Sequence, residues 1–208
     1  MHSAVNQRIR SLLGKTDEEL VAEVIDGKTA SFGELTSRYR RAVEHWCRRF
    51  FSDPEMIRDL SQESFIRAFT GLASYRAEMP FSGWLRAITV NVCYDELRRR
   101  VRRPEDLVGD FTQAEQAWMQ LVTEATPEAI LQAAEERAAA ESLARKLLNH
   151  LRPEDRVVMT LKETEDLSIA EIAGIMGWSE AKVKIRAFRA RRLMKRRADR
   201  LLALRRSG

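Results

Sequence analysis

The sequence predicts an all-α fold: two small helical domains joined by an acidic linker, the C-terminal one a helix-turn-helix. Three observations carry this. Apolar residues recur at helical spacing along most of the 208 residues, and no stretch alternates as a half-buried strand would. Two capping boxes, Thr16 with Glu19 and Ser168 with Glu171, announce helix starts. Charge is laid down in blocks, with a basic cluster, an acidic segment and a basic tail.

The elements follow in order. Thr16 caps a first helix carrying Leu20, Val21, Val24 and Ile25, and Gly27 ends it. A second helix carries Phe32, Leu35, Tyr39, Val43, Trp46, Cys47 and Phe50, and stops at Ser52-Asp53-Pro54. Asp53 and Pro54 suit the N-cap and first helical position of a third helix, which runs through Ile57, Leu60, Phe65 and Phe69 to about Leu72. A loop over 74–80 leads to a fourth helix over 81–103. Residues 104–127 read as an interdomain linker. Alanine-rich sequence then restores helix propensity, and helices are predicted over 128–151, 153–164, 168–176 and 179–204. The domains are therefore 1–103 and 128–208, about the linker 104–127.

The net charge of +5 conceals this layout. Residues 180–208 hold twelve Lys and Arg against two acids, a net +10. Residues 104–142 hold nine acids against Arg137 alone, a net −8. A further basic cluster occupies Arg98, Arg99, Arg100, Arg102 and Arg103. Two polyanion-binding surfaces are expected, separated by a segment that avoids polyanions. No apolar run reaches the ~18 residues that suggest a membrane span. The N-terminus lacks the apolar core of a signal peptide. A cytoplasmic protein that does not enter the membrane is the expectation. Cys47 and Cys93 form no C-x-x-C pair and are expected to be buried free thiols. There is no phosphate-cradling glycine loop, metal constellation or nucleophile–base pair, so neither an enzyme nor a cofactor is expected.

In the C-terminal unit Ile169, Ile172, Ala173 and Met176 line a short helix. Gly177 supplies the left-handed turn and Ser179 caps the next helix. There Val183, Ala187, Ala190 and Met194 recur at core spacing. Another face presents Lys184, Ile185, Phe188 and Arg189, and Lys182, Arg186 and Arg192 are further candidate DNA contacts on the same helix. Cations on such a face meet phosphates or guanine edges, and Ile185 and Phe188 meet thymine methyls. In the N-terminal unit Asp59, Gln62, Glu63 and Ile66 share one helical stripe. Tyr75, Arg76, Phe81 and Trp84, followed by Asn91, Arg98 and Arg99, place aromatics and an amide beside cations. That combination suits single-stranded DNA, whose unstacked bases are read on face and edge. Phe81 and Trp84 serve equally well as core residues.

Together these residues resemble the extracytoplasmic-function sigma factors of bacterial RNA polymerase, from about Thr16 to Leu202. Asp59-Leu60-Ser61-Gln62-Glu63-Ser64-Phe65-Ile66-Arg67-Ala68-Phe69 is similar to the family's D-x-x-Q-E-x-F-I-[KR]-[AV]-[FY] helix. Residues 81–91 are similar to its F-x-x-W-L-x-x-I-A-x-N helix, and 151–191 to its L-P-x-x-x-R…L-S-x-x-E-I-A…V-K-x-R…R-A-R region.

The resemblance implies that Asp59, Gln62, Glu63 and Ile66 bind the clamp of the largest subunit of core polymerase. It implies that Tyr75, Arg76, Phe81, Trp84, Asn91, Arg98 and Arg99 capture and melt the minus-ten element as single strand. The helix-turn-helix would read the minus-thirty-five element as duplex, and the acidic linker would thread the active-site cleft. An anti-sigma protein is an implied partner. The chain is as short as family members without the housekeeping amino-terminal extension. Ile185 stands where a small hydroxyl residue is common and Lys182 adds a charge, so the family's minus-thirty-five preference does not carry over to this chain. Leu85 follows Trp84 where housekeeping sigma factors carry a second Trp, and a single aromatic wedge melting DNA less readily implies a stringent promoter preference. An autonomous helix-turn-helix repressor is the main alternative, and a helical partner-switching module a third reading. Neither needs the Asp59-Gln62-Glu63 stripe or the Asn91 helix.

Overall fold

The structure, a computed structural model, describes residues 14–101, 145 and 147–206, with side chains as far as residue 196. The predicted linker 104–127, most of the helix expected over 128–151, and Arg102 and Arg103 lie outside the described residues. All regular structure among the described residues is helical: α1 Asp17–Ile25, α2 Ala30–Arg48, α3 Pro54–Gly71, a 3-10 turn Leu72–Ser74, α4 Phe81–Val101, α5 Pro153–Thr164, α6 Ile169–Met176 and α7 Glu180–Arg206. None of the described helices is long and apolar enough to cross a membrane. The chain divides into Met1–Cys93 and Tyr94–Gly208, so the division falls within α4, ten residues before the boundary expected at 103.

In the first unit α2 packs on both α1 and α3. Thr16 and Glu19 close the capping box, and Asp53 caps α3 from in front of Pro54. Gly27, at φ +94°, turns the chain out of α1. Leu35, Val43 and Leu85 are fully enclosed. Each such side chain contributes roughly 1.5–3 kcal/mol on leaving water. The inward stripe of α3 differs from the expected one. Ile57 and Leu60 are buried as expected, but beside them lie Ser61, Ser64 and Ala68, while Phe69 is 43% exposed and meets Phe32 edge-on at 5.1 Å. The hydroxyls of Ser61 and Ser64 each donate to the carbonyl one turn back, Ile57 and Leu60, at 2.7 Å. A serine satisfied in this way is small enough to sit where a bulky residue would hold the helices apart.

The second unit packs α7 against α5 and α6. Pro153 opens α5, and Val157, Val158 and Leu161 are enclosed. Ser168 and Glu171 close the second capping box. Gly177 takes the left-handed conformation (φ +62°) that turns α6 into α7. Ser179 Oγ accepts from the Lys182 amide at 3.3 Å. Val183, Ala187 and Ala190 are buried, and Met194 packs against the Leu151–Met159–Ala190 cluster. Small alanines at the α7 contact let the helices approach closely, which sets the angle at which the opposite face of α7 is offered to solvent.

Candidate nucleic-acid interface

The outward face of α7 is basic with an apolar centre. Ile185 is 55% and Phe188 66% exposed. They border a concavity of about 720 Å³ lined also by Arg152, Asp155, Lys184, Arg186, Arg189, Arg192, Leu193 and Arg196. An apolar pair exposed among cations is costly in water and is matched by thymine methyls between phosphates. Lys182 and Lys184 flank this face. The Lys182 ammonium sits 3.8 Å above the Trp178 ring, and Lys184 lies 3.5 Å from Glu180. Arg189 and Arg192 are exposed.

Arg186 is placed differently from its neighbours. Its guanidinium donates to Asp155 Oδ1 on α5 at 3.2 Å, and the two side chains are 21% and 8% exposed. It spans from α7 to α5, and its charge is already matched. Arg191 likewise reaches Glu163 at 2.8 Å. Sequence reading missed Arg152 and Asp155 at this surface, whereas Arg196 belongs to the stretch 191–197 expected to run on towards the backbone phosphates. Arg152 and Arg196 carry an ordinary basic signal, but Asp155 carried none, because its partner lies 31 residues away.

In the first unit the loop over 75–80 and the start of α4 form an aromatic cluster. Phe81 touches Tyr39, Tyr75 and Trp84 with centroid separations of 5.4, 5.7 and 5.6 Å. Phe81 is only 2% exposed, which corrects its assignment as a DNA contact: it is a core residue that holds up the others. Tyr75 and Trp84, 5.4 Å apart, are half-buried above it. The Tyr75 hydroxyl donates to the Met79 carbonyl at 2.9 Å, closing the loop, and Ala77 turns it at φ +52°. Burial pushes the Tyr75 phenol up from its ordinary pKa. Arg76 is exposed.

Asn91, half-buried on α4, donates from Nδ2 to the Ala87 carbonyl at 2.9 Å. Five residues on, Glu96 is 7% exposed and accepts from Arg99 at 2.7 and 3.1 Å and from Arg100 at 3.0 Å. Burial pushes the Glu96 carboxyl up, but the two guanidiniums more than offset this and hold it below the usual carboxylate range. Arg98 lies over the Tyr94 ring at 5.7 Å.

On α3, Asp59 and Gln62 are exposed, Glu63 pairs with Arg67 at 2.7 Å, and Ile66 is 50% exposed. The four therefore share an outward stripe with an apolar centre.

Residues 35–103 match the Sigma-70 region 2 family and residues 142–194 the Sigma-70 region 4 family. The chain is 34% identical over 191 residues to the ECF RNA polymerase sigma-E factor of Haemophilus influenzae, covering 90% of this chain and 97% of that one. It is 31% identical over 185 residues to the RNA polymerase sigma-H factor of Pseudomonas aeruginosa, covering 86% and 92%. Its fold is similar to that of CnrH, solved in complex with the cytosolic domain of CnrY, with a TM-score of 0.52 and 24% identity over 89% of this chain and 98% of that one. With both regions present and the relatives matched over nearly their whole length, the chain belongs to the extracytoplasmic-function sigma factors of bacterial RNA polymerase.

Proposed function

We propose that the chain binds core RNA polymerase in the cytoplasm, carries it to promoters, and is not itself an enzyme. The division of labour follows the expected domains, 1–103 and 128–208. Asp59, Gln62, Glu63 and Ile66 dock on the clamp of the largest subunit. Tyr75, Trp84 and Asn91 capture the melted minus-ten strand, with Arg76 and the Arg98–Arg99 cluster along its phosphates. Phe81 supports that platform from beneath. Lys184, Ile185, Phe188, Arg189 and Arg192 read the minus-thirty-five duplex, with Lys182 at the start of the same helix and Arg186 fixing its pose. The acidic linker over 104–127 occupies the active-site cleft until RNA displaces it.

The observation that carries this reading is the pairing, in one chain, of a basic helix-turn-helix face with an outward α3 stripe centred on an exposed Ile66. An autonomous repressor has a use for the first and none for the second. Control by an anti-sigma protein is part of the proposal. It is supported by family membership. Exposed Ile185 and Phe188 also favour coverage by a partner when DNA is absent.

Transcription in vitro with core polymerase on a library of genomic fragments tests the function. Promoter-specific transcripts that depend on the chain are expected. A specific footprint at nanomolar concentration without polymerase would instead establish the repressor. Asn91→Ala is expected to slow open-complex formation on duplex templates and to spare pre-melted ones. A wild-type melting rate would remove Asn91 from that role.

A further inference from the structure

Where α2, α3 and α4 meet, the apolar core contains three polar or polarisable groups. The Cys93 thiol donates to Cys47 Sγ at 3.9 Å, and Ser61 Oγ lies 3.8 Å from the same sulfur. Both cysteines are 0% exposed. They lie 46 residues apart, and the chain has two cysteines in all. Filling this space needs only aliphatic side chains, yet two thiols face each other across a helix–helix contact.

We propose that Cys47 and Cys93 are an oxidisable dithiol, closed to a disulfide by a small peroxide and thereby slowing promoter opening. The Cys47 sulfur attacks a peroxide oxygen and the O–O bond breaks, with water leaving and Cys47 becoming a sulfenic acid. Cys93 then attacks that sulfur, the S–O bond breaks, and a second water departs with the Cys93 proton. Two thiols and one hydrogen peroxide become one disulfide and two waters, and the two electrons lost by sulfur reduce the peroxide.

Cys47 is the first nucleophile. The hydrogen bond from Cys93 holds its thiol below the ordinary cysteine range against the opposing effect of burial. The thiolate is the reactive form. Burial excludes bulky oxidants and leaves the core open, during local fluctuation, to one the size of water.

Closure has a mechanical consequence. The sulfurs must come from 3.9 Å to the ~2.05 Å of a disulfide, so α2 and α4 are drawn together. Cys93 follows Asn91 by two residues on α4, the helix that also carries Trp84. Packed cores transmit such displacements because they leave no slack. This second step rests on the promoter-opening role proposed above for α4. The first does not.

The test treats the purified full chain with hydrogen peroxide, then denatures it and caps free thiols with a maleimide. Both thiols should vanish together, with loss of the mass of two hydrogens, a linked Cys47–Cys93 peptide and recovery on reduction by dithiothreitol. With core polymerase, oxidised chain should open promoters several-fold more slowly than reduced chain. Promoter opening by Cys47→Ala and by Cys93→Ala should not be slowed by peroxide, because neither can close the disulfide, and Cys93→Ala should yield a sulfenic acid that dimedone traps at Cys47. Thiols that survive peroxide, oxygen adducts on each cysteine independently, or disulfides between chains would overturn the dithiol. Crosslinked chain as active as reduced chain would overturn its regulatory role. If reduced chain fails to support transcription, the sigma-factor reading falls, while the mass measurement still decides whether the dithiol exists.

Discussion

Two arginines three residues apart on α7 show how a side chain's surroundings decide its role. Arg189 is exposed, whereas Arg186 is bonded to the buried carboxylate of Asp155. Arg189→Ala is expected to leave thermal stability unchanged and to weaken promoter recognition by about 1–3 kcal/mol, selectively at one minus-thirty-five position, if it forks onto a guanine. Loss spread evenly over all sequences would make it a phosphate contact. Arg186→Ala is expected to lower thermal stability and to weaken promoter binding without selectivity for any one minus-thirty-five position. It leaves the largely buried Asp155 carboxylate without that donor, which costs roughly 1–3 kcal/mol. A melting scan beside a binding titration separates the two outcomes, and an unchanged midpoint for Arg186→Ala would return that residue to the DNA face. Sequence reading named both as minus-thirty-five contacts because a run of cations on one helix does not report the partners each side chain finds. The same blindness left Phe81 open between a DNA contact and the core. An aromatic residue beside a basic loop reads alike whether it is covered by Tyr39 and Tyr75 or open to a base.

At the scale of elements, local chemistry was legible and packing was not. The helix expected over 153–164 is Pro153–Thr164, both capping boxes close, and Gly177 takes its left-handed turn. Each depends on residues a few positions apart, so the sequence contains all of its parts. Gly177→Ala is expected to lower stability by roughly 1–2 kcal/mol, because a Cβ disfavours that conformation even where space is open. Gly177→Asn should recover part of the loss, and equal melting temperatures for all three proteins would refute the assignment.

The α1–α2 corner makes a pH prediction. Hydrogen bonds from Lys15 and then Ser31 hold the Glu23 carboxyl at about 2, below its ordinary 4.5. A depressed carboxylate stabilises the fold fully above its unfolded pKa and loses that contribution as pH falls through the folded value. Wild type and Glu23→Gln should therefore differ most in melting temperature above pH 4.5 and converge as pH falls towards 2. Parallel curves across that range would dismiss the corner as a source of acid sensitivity. The stripe of α3, by contrast, could not be read in advance. Nothing near Ser61 or Ser64 in the sequence says that α2 comes close enough to demand a small residue there.

Across the whole molecule the charge of +5 resolves into a +10 tail on a chain that is otherwise acidic. The isolated chain is expected to bind promoter duplex weakly, with affinity falling steeply as salt rises, because counterion release dominates binding to phosphates. Core polymerase should add specificity. Gln62→Ala with Glu63→Ala should reduce co-purification with core enzyme without altering the melting temperature, as these side chains lie on an outward stripe. Undiminished co-purification would move the clamp contact elsewhere. The sequence by itself determined the helices, their caps, the helix-turn-helix turn and the family, because these are written in short-range spacing and in motifs that survive without knowledge of contacts. Only the tertiary structure decided that Phe81 is a support, that Arg186 is pinned to Asp155, that serines line α3, and that Cys47 faces Cys93. Each depends on which distant residue occupies a particular few ångströms of the core, and that is settled by how whole helices pack against one another.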